Sequence, residues 1–165
     1  MHVFTQIGCA AACTALLALP AHADERPCNR RIGAIVIDGD VHVSPSGTCT
    51  LDGTRIGGNI KLNESGSLIA SSVRVGGNIE ADGTANVVVL FDSSIDGNVQ
   101  AKQGGQVRIE GVRVGGDVQL FSNSGAITVR DSHIGGNLQC KSNLRFPTGS
   151  GNQVGGNKED QCSRL

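Results

Sequence analysis

The sequence predicts an all-β fold: a single-stranded parallel β-helix, or β-solenoid, of about six coils of 19–20 residues with three short strands per coil. Three observations predict it. A glycine-rich turn returns at nearly constant intervals, apolar residues alternate within each interval, and the cysteines are spaced by about one interval. Gly57-Gly58-Asn59-Ile60 recurs at Gly76, Asp96, Gly115, Gly135 and Gly155, with an earlier copy at Asp38-Gly39-Asp40-Val41. The intervals are 19, 19, 20, 19, 20 and 20 residues, and a fixed period in this range is the mark of a solenoid. A parallel crossover strongly prefers the right hand, so a right-handed coil is expected.

Residues 1–23 read as a secretory signal peptide. Leu16, Leu17 and Leu19 form its apolar end, and Ala21-His22-Ala23 supplies small residues around a cleavable bond. An uncleaved anchor and a lipoprotein signal are the competing readings, although the apolar run is short for a membrane span and Cys9 and Cys13 lie close to the start. Residues 24–37 are expected to form an N-terminal cap, 38–157 the solenoid and 158–165 a C-terminal capping tail. The expected location is periplasmic or secreted, with no integral membrane span after cleavage.

Within each repeat, period two marks the strands. The first strand carries Val41/Val43, Ile60/Leu62, Ile79/Ala81, Val99/Ala101, Val118/Leu120 and Leu138/Cys140. The second carries Cys49/Leu51, Leu68/Ala70, Val88/Leu90, Val107/Ile109 and Ile127/Val129, which places the extra residue of the 20-residue copies in the turn between these two strands. A third, shorter strand ends on Ile56, Val75, Ile95, Val114, Ile134 and Val154. Stacked coils pair each strand with its equivalent one repeat away, and their inward residues merge into apolar columns.

The turn that closes each coil is expected to use its glycines for positive φ or close backbone approach. Its third position holds Asp40, Asn59, Asn78, Asn98, Asp117, Asn137 and Asn157. Such side chains tolerate left-handed geometry and can hydrogen-bond from coil to coil as a ladder. Gln100, Gln119 and Gln139 form a second amide row.

The mature chain retains Cys28, Cys49, Cys140 and Cys162, separated pairwise by 21 and 22 residues. Neighbouring coils lie within disulfide reach, so the expected bridges are Cys28–Cys49 and Cys140–Cys162, one fastening each end of the core. A zinc site is disfavoured because no C-x-x-C occurs and the pairs lie at opposite ends.

Composition narrows the chemistry. Of 165 residues 14 are basic and 15 acidic, so a net charge of −1 gives no basis for nucleic-acid binding. The turns lack the nine-residue period of calcium repeats and open strands rather than the helix that follows a phosphate loop. Asp92 and Asp131 share a repeat position but are two coils apart with Gly111 between them, so they do not form the facing carboxylates that glycoside hydrolysis requires. Phe91 is placed outward near a corner, and His42 and His133 on outward positions. No Ser, His and Asp set has a nucleophile context. No catalytic, metal or cofactor site is expected.

One surface row stands out. The penultimate position of successive repeats is Arg55, Arg74, Ser94, Arg113, His133 and Gln153, a column of cations with one gap. It is either a solvated face balanced by Asp52, Glu110 and Asp131, or a contact strip for an acidic glycan, a phosphate-rich envelope polymer or a partner protein.

The closing segments Gly136-Asn137-Leu138-Gln139-Cys140 and Gly156-Asn157-Lys158-Glu159-Asp160-Gln161-Cys162 resemble those of exported bacterial β-helix proteins; the resemblance covers roughly the last fifty residues and implies no established activity. The Gly-Gly-Asn-Ile repeats are similar, more weakly, to bactofilins, whose β-helices join end to end into filaments. The signal peptide, the longer coil and the terminal disulfides depart from that pattern, and a capped end removes the strand edge a polymer uses. The expected function is therefore that of an exported, non-enzymatic, monomeric rod whose lateral face contacts an acidic envelope polymer or partner protein. The alternatives are a self-assembling envelope element and a carbohydrate-active β-helix enzyme.

Overall fold

A strand of two to five residues cannot bury its apolar side alone, so its backbone must be satisfied by strands above and below. The computed structural model, which describes residues 25–165, meets this condition with three parallel sheets of eight, six and seven strands. Each strand pairs with the equivalent strand one coil away, and every pairing is parallel. The result is a β-solenoid with three strands per coil and no helix among the described residues, none of which therefore forms a helix able to cross a membrane. The expected signal peptide lies outside the described residues.

The solenoid has about seven turns rather than six, because residues 26–37 form a coil of their own. Arg26–Cys28, Arg31–Ile32 and Val36–Ile37 pair with Val41–Val43, Thr48–Asp52 and Arg55–Ile56. At the other end Lys158–Asp160 adds an eighth strand to the first sheet. The turn after it buries Cys162 and Leu165 against the core.

The inward columns are continuous. Val41, Ile60, Ile79, Val99, Val118 and Leu138 stand in register, each at most 1 % exposed. Burial of such a side chain contributes roughly 1.5–3 kcal/mol, so the columns supply the main drive for stacking.

One repeat is phased differently from the expectation. In the second sheet Val87 and Val89, not Val88 and Leu90, face the core, in register with Leu68 and Ala70. The run Val87-Val88-Val89-Leu90 is apolar throughout, so alternation alone has two solutions. The inserted residue of this coil falls after the second strand, where Leu90–Asp92 bulge at the corner and Phe91 is left 52 % exposed. Its ring covers Gly111 of the next coil, leaving no room for a β-carbon there.

The disulfides are Cys28–Cys49 and Cys140–Cys162, with Cα separations of 5.3 and 5.2 Å. Cys28 belongs to the first sheet and Cys49 to the second, so this bridge crosses the core between sheets. All four cysteines are buried. Two such bridges are compatible with an oxidising, exported environment.

The corners differ in mechanism. Left-handed φ occurs at the other two corners, as at Gly53, Ser72, Asp92, Gly111, Asp131 and Gly151 after the second strand. At the Gly-Gly-Asn turn neither glycine has positive φ, and close approach alone requires them. A β-carbon at Gly58 would lie 2.2 Å from Asp40 Oδ1 and 2.8 Å from the Gly39 carbonyl.

Candidate lateral face

The Gly-Gly-Asn turn positions one edge of the third sheet by threading a side-chain ladder through it. Asn59 N–H donates to Asp40 Oδ1 at 2.8 Å, and the pattern repeats from Asn78 to Asn59, Asn98 to Asn78, Asp117 to Asn98, Asn137 to Asp117 and Asn157 to Asn137, at 2.7–2.8 Å. Each side-chain oxygen faces the backbone of the next coil, so Asp serves as well as Asn. The charge of Asp40 is further met by Lys61, whose Nζ lies 2.7 Å from Oδ2. The Asn59 N–H first, then Lys61, hold the Asp40 carboxyl below its ordinary range, and Asp40 in turn raises Lys61.

On the third sheet Val36, Arg55, Arg74, Ser94, Arg113, His133 and Gln153 stand in one column, in register across six pairings. The three arginines and His133 are exposed. Among the described residues none of these basic side chains has a carboxylate at salt-bridge distance. His133 Nδ1 instead lies 3.3 Å from Gln153 Oε1. At one strand spacing, two unit charges repel by about 1 kcal/mol or less in water.

Two of the three acids expected to balance the strip are engaged elsewhere. Asp52 pairs with Arg31 on the second sheet. Glu110 is only 2 % exposed and sits between Arg108, at 2.7 Å, and Arg130, at 3.0 Å. The hydrogen bond from Arg108, reinforced by the charge of both arginines, outweighs burial and holds the Glu110 carboxyl below its ordinary range, while Glu110 raises Arg108. Of the three, Asp131 alone lies beside the strip, lining a shallow groove with Arg113, His133, Gly151 and Gln153. A second shallow groove runs beside Arg55 and Arg74, with Asp38, Ser94 and Asp96 in its lining.

Other expected surface residues fall as follows. Gln119 Nε2 donates to Gln139 Oε1 at 3.0 Å, and Gln139 Nε2 to Glu159 Oε2 at 2.7 Å, whereas Gln100 lines a groove with Lys61, Glu80 and Lys102. His42 is half-buried, 3.6 Å from Glu25. Asp92 and Asp131 occupy left-handed corners. Among the described residues no cluster of His, Cys, Asp and Glu is grouped to hold a metal ion.

A further ladder is absent from the sequence expectation. Asn123, Asn143 and Gln161 are stacked at the corner after the first strand: Asn123 N–H donates to Asn143 Oδ1 at 2.9 Å, and Asn143 N–H to Gln161 Oε1 at 2.8 Å. Their amide groups also reach inward, from Asn123 to the Ala101 carbonyl and from Asn143 to that of Leu120. The signal was the 20-residue spacing of Asn123 and Asn143, but only two copies carry it. The capping tail completes it through Gln161. No protein-family model, curated protein or solved structure matches the chain.

Proposed function

We propose that this chain is an exported, non-enzymatic rod whose third-sheet face binds an acidic envelope polymer. The observation that carries this reading is the in-register column Arg55, Arg74, Arg113 and His133, held exposed without a carboxylate partner among the described residues. Like charges stacked on a rigid scaffold remain a standing cost that an anionic ligand relieves, and the scaffold lends preorganisation, because the strands need not rearrange to bind.

Two buried disulfides and a tail folded over the last coil favour a monomeric rod over an end-to-end polymer, since the C-terminal core is covered by Cys162 and Leu165. The test is calorimetric titration of the oxidised mature protein with hyaluronan, a linear glycan bearing one carboxylate per disaccharide, at low ionic strength. The double variant Arg74→Ser/Arg113→Ser should bind at least fivefold more weakly, and added salt should weaken the wild type. Equal binding by variant and wild type removes the strip from the function.

A further inference from the structure

The cationic column is interrupted at one coil only, and both columns of that coil take part. In the arginine column it presents Ser94. Two residues on, where the coils of Arg55, Arg74, Arg113 and His133 carry Gly57, Gly76, Gly115 and Gly135, it presents the exposed carboxylate Asp96. The grooves follow the same division. The one beside Arg55 and Arg74 is bracketed along the rod by Asp38 and Asp96; the one beside Arg113 and His133, with Asp131 at its side, shares no lining residue with it.

We infer that the face is two separate anion sites with an acidic divider, built for a linear polymer whose phosphate or carboxylate groups are widely spaced. The inference rests on the proposed reading of the strip and adds the spacing of the ligand's charges. The midpoint of Arg55 and Arg74 and the midpoint of Arg113 and His133 lie three coils apart, about 14 Å at ordinary strand spacing. A ligand with anions at that interval fills both sites and gains by linkage, because its second contact is intramolecular. A densely charged chain must lay an anion against Asp96, and that repulsion selects against it. Asp38 blocks the open side of the first site in the same way.

The probe is a set of fluorescent peptides with two phosphoserines separated by zero to seven prolines. Polyproline is a stiff ruler of about 3.1 Å per residue, so four intervening prolines set the backbone positions of the two phosphoserines about 15 Å apart along the axis. Anisotropy titrations of the oxidised protein at low ionic strength should show the tightest binding at three to five prolines. That affinity should exceed both the adjacent pair and a single-phosphoserine peptide by tenfold or more. Arg55→Ser/Arg74→Ser should reduce every spacing to the single-phosphoserine value, and Asp96→Asn should tighten the adjacent pair about threefold. Affinity that depends on Arg55 and Arg74 but not on spacing overturns the two-site division and leaves the strip intact. Affinity unchanged by Arg55→Ser/Arg74→Ser overturns the strip reading as well.

Discussion

Asn98 and Asp117 occupy the same position in successive coils, and the Asn98 side-chain oxygen accepts the Asp117 backbone N–H at 2.7 Å. This bond lies in the middle of a chain of six such bonds, whereas Asn157, at the end, donates its own N–H to Asn137 and is the last rung. The two residues are alike in sequence context and opposite in consequence.

Asn98→Ala should therefore cost about 1–3 kcal/mol, because it leaves the half-buried Asp117 N–H without an acceptor. Asn157→Ala strands no donor and should change stability by less than about 0.5 kcal/mol. Chemical denaturation of the two variants side by side checks this, and equal losses would show that the ladder is decorative.

Gly115→Ala should destabilise severely. The added β-carbon would meet the Asp96 carbonyl oxygen at 2.2 Å, a backbone atom that cannot step aside without parting two coils. At Gly83, with φ +60 and open space around it, the same change strains only the local backbone, at a cost of about 1 kcal/mol. Thermal melts should separate the two by several degrees, and Gly83→Asn should recover most of its smaller loss.

Reduction should loosen the ends before the middle. Each bridge closes a loop of about twenty residues and contributes about 3 kcal/mol by the chain-entropy relation. Cys140→Ala/Cys162→Ala should lower stability by that order and raise amide exchange first in Leu138–Lys141 and Lys158–Asp160. Exchange mass spectrometry of the variant, compared with the oxidised wild type, reads this directly.

Acid should act through Glu110 and Asp40. Both carboxyls are held below their ordinary range in the folded chain, by Arg108 and Arg130 for Glu110 and by the Asn59 N–H and Lys61 for Asp40. Their stabilisation is thus fully present above the unfolded values, about 4.3 for Glu and 3.9 for Asp, and is lost as pH falls through the lower folded values. Glu110→Gln should cost on the order of 1–2 kcal/mol at pH 7, and the difference from wild type should narrow as the pH falls below about 4.3, the ordinary Glu value. A gap in denaturation midpoint that does not narrow as the pH is lowered would mean that Glu110 acts by packing rather than charge.

The coil, its three strands and both disulfides were legible in the sequence because each is written in a fixed period: Ile60 recurs as Ile79, Cys28 stands 21 residues from Cys49. The phase of Val87–Leu90 was not, since four apolar residues in a row satisfy alternation in either sense and the corner geometry decides. Nor was the choice between the two reasons for the paired glycines, because close approach to a neighbouring coil is a property of stacking and left-handed φ a property of one residue. The strip residues stand in register as the spacing implies. Their electrostatic surroundings were not legible, because Glu110 is claimed by Arg108, two residues away, and by Arg130, one coil away, and a one-dimensional reading ranks neither above the strip.

Every strand pairs only with the coil before and the coil after, at a separation of about twenty residues. This topology lets folding propagate from coil to coil: each added coil closes a loop of nearly constant length at nearly constant entropic cost. Length becomes a copy number. Excising residues 79–98 would join Asn78 to Val99, preserve the ladder and the apolar columns, and leave a shorter rod in which Arg74 adjoins Arg113. Gain or loss of a single repeat can thus retune the interval between charges on the surface while every rule that folds the chain stays the same.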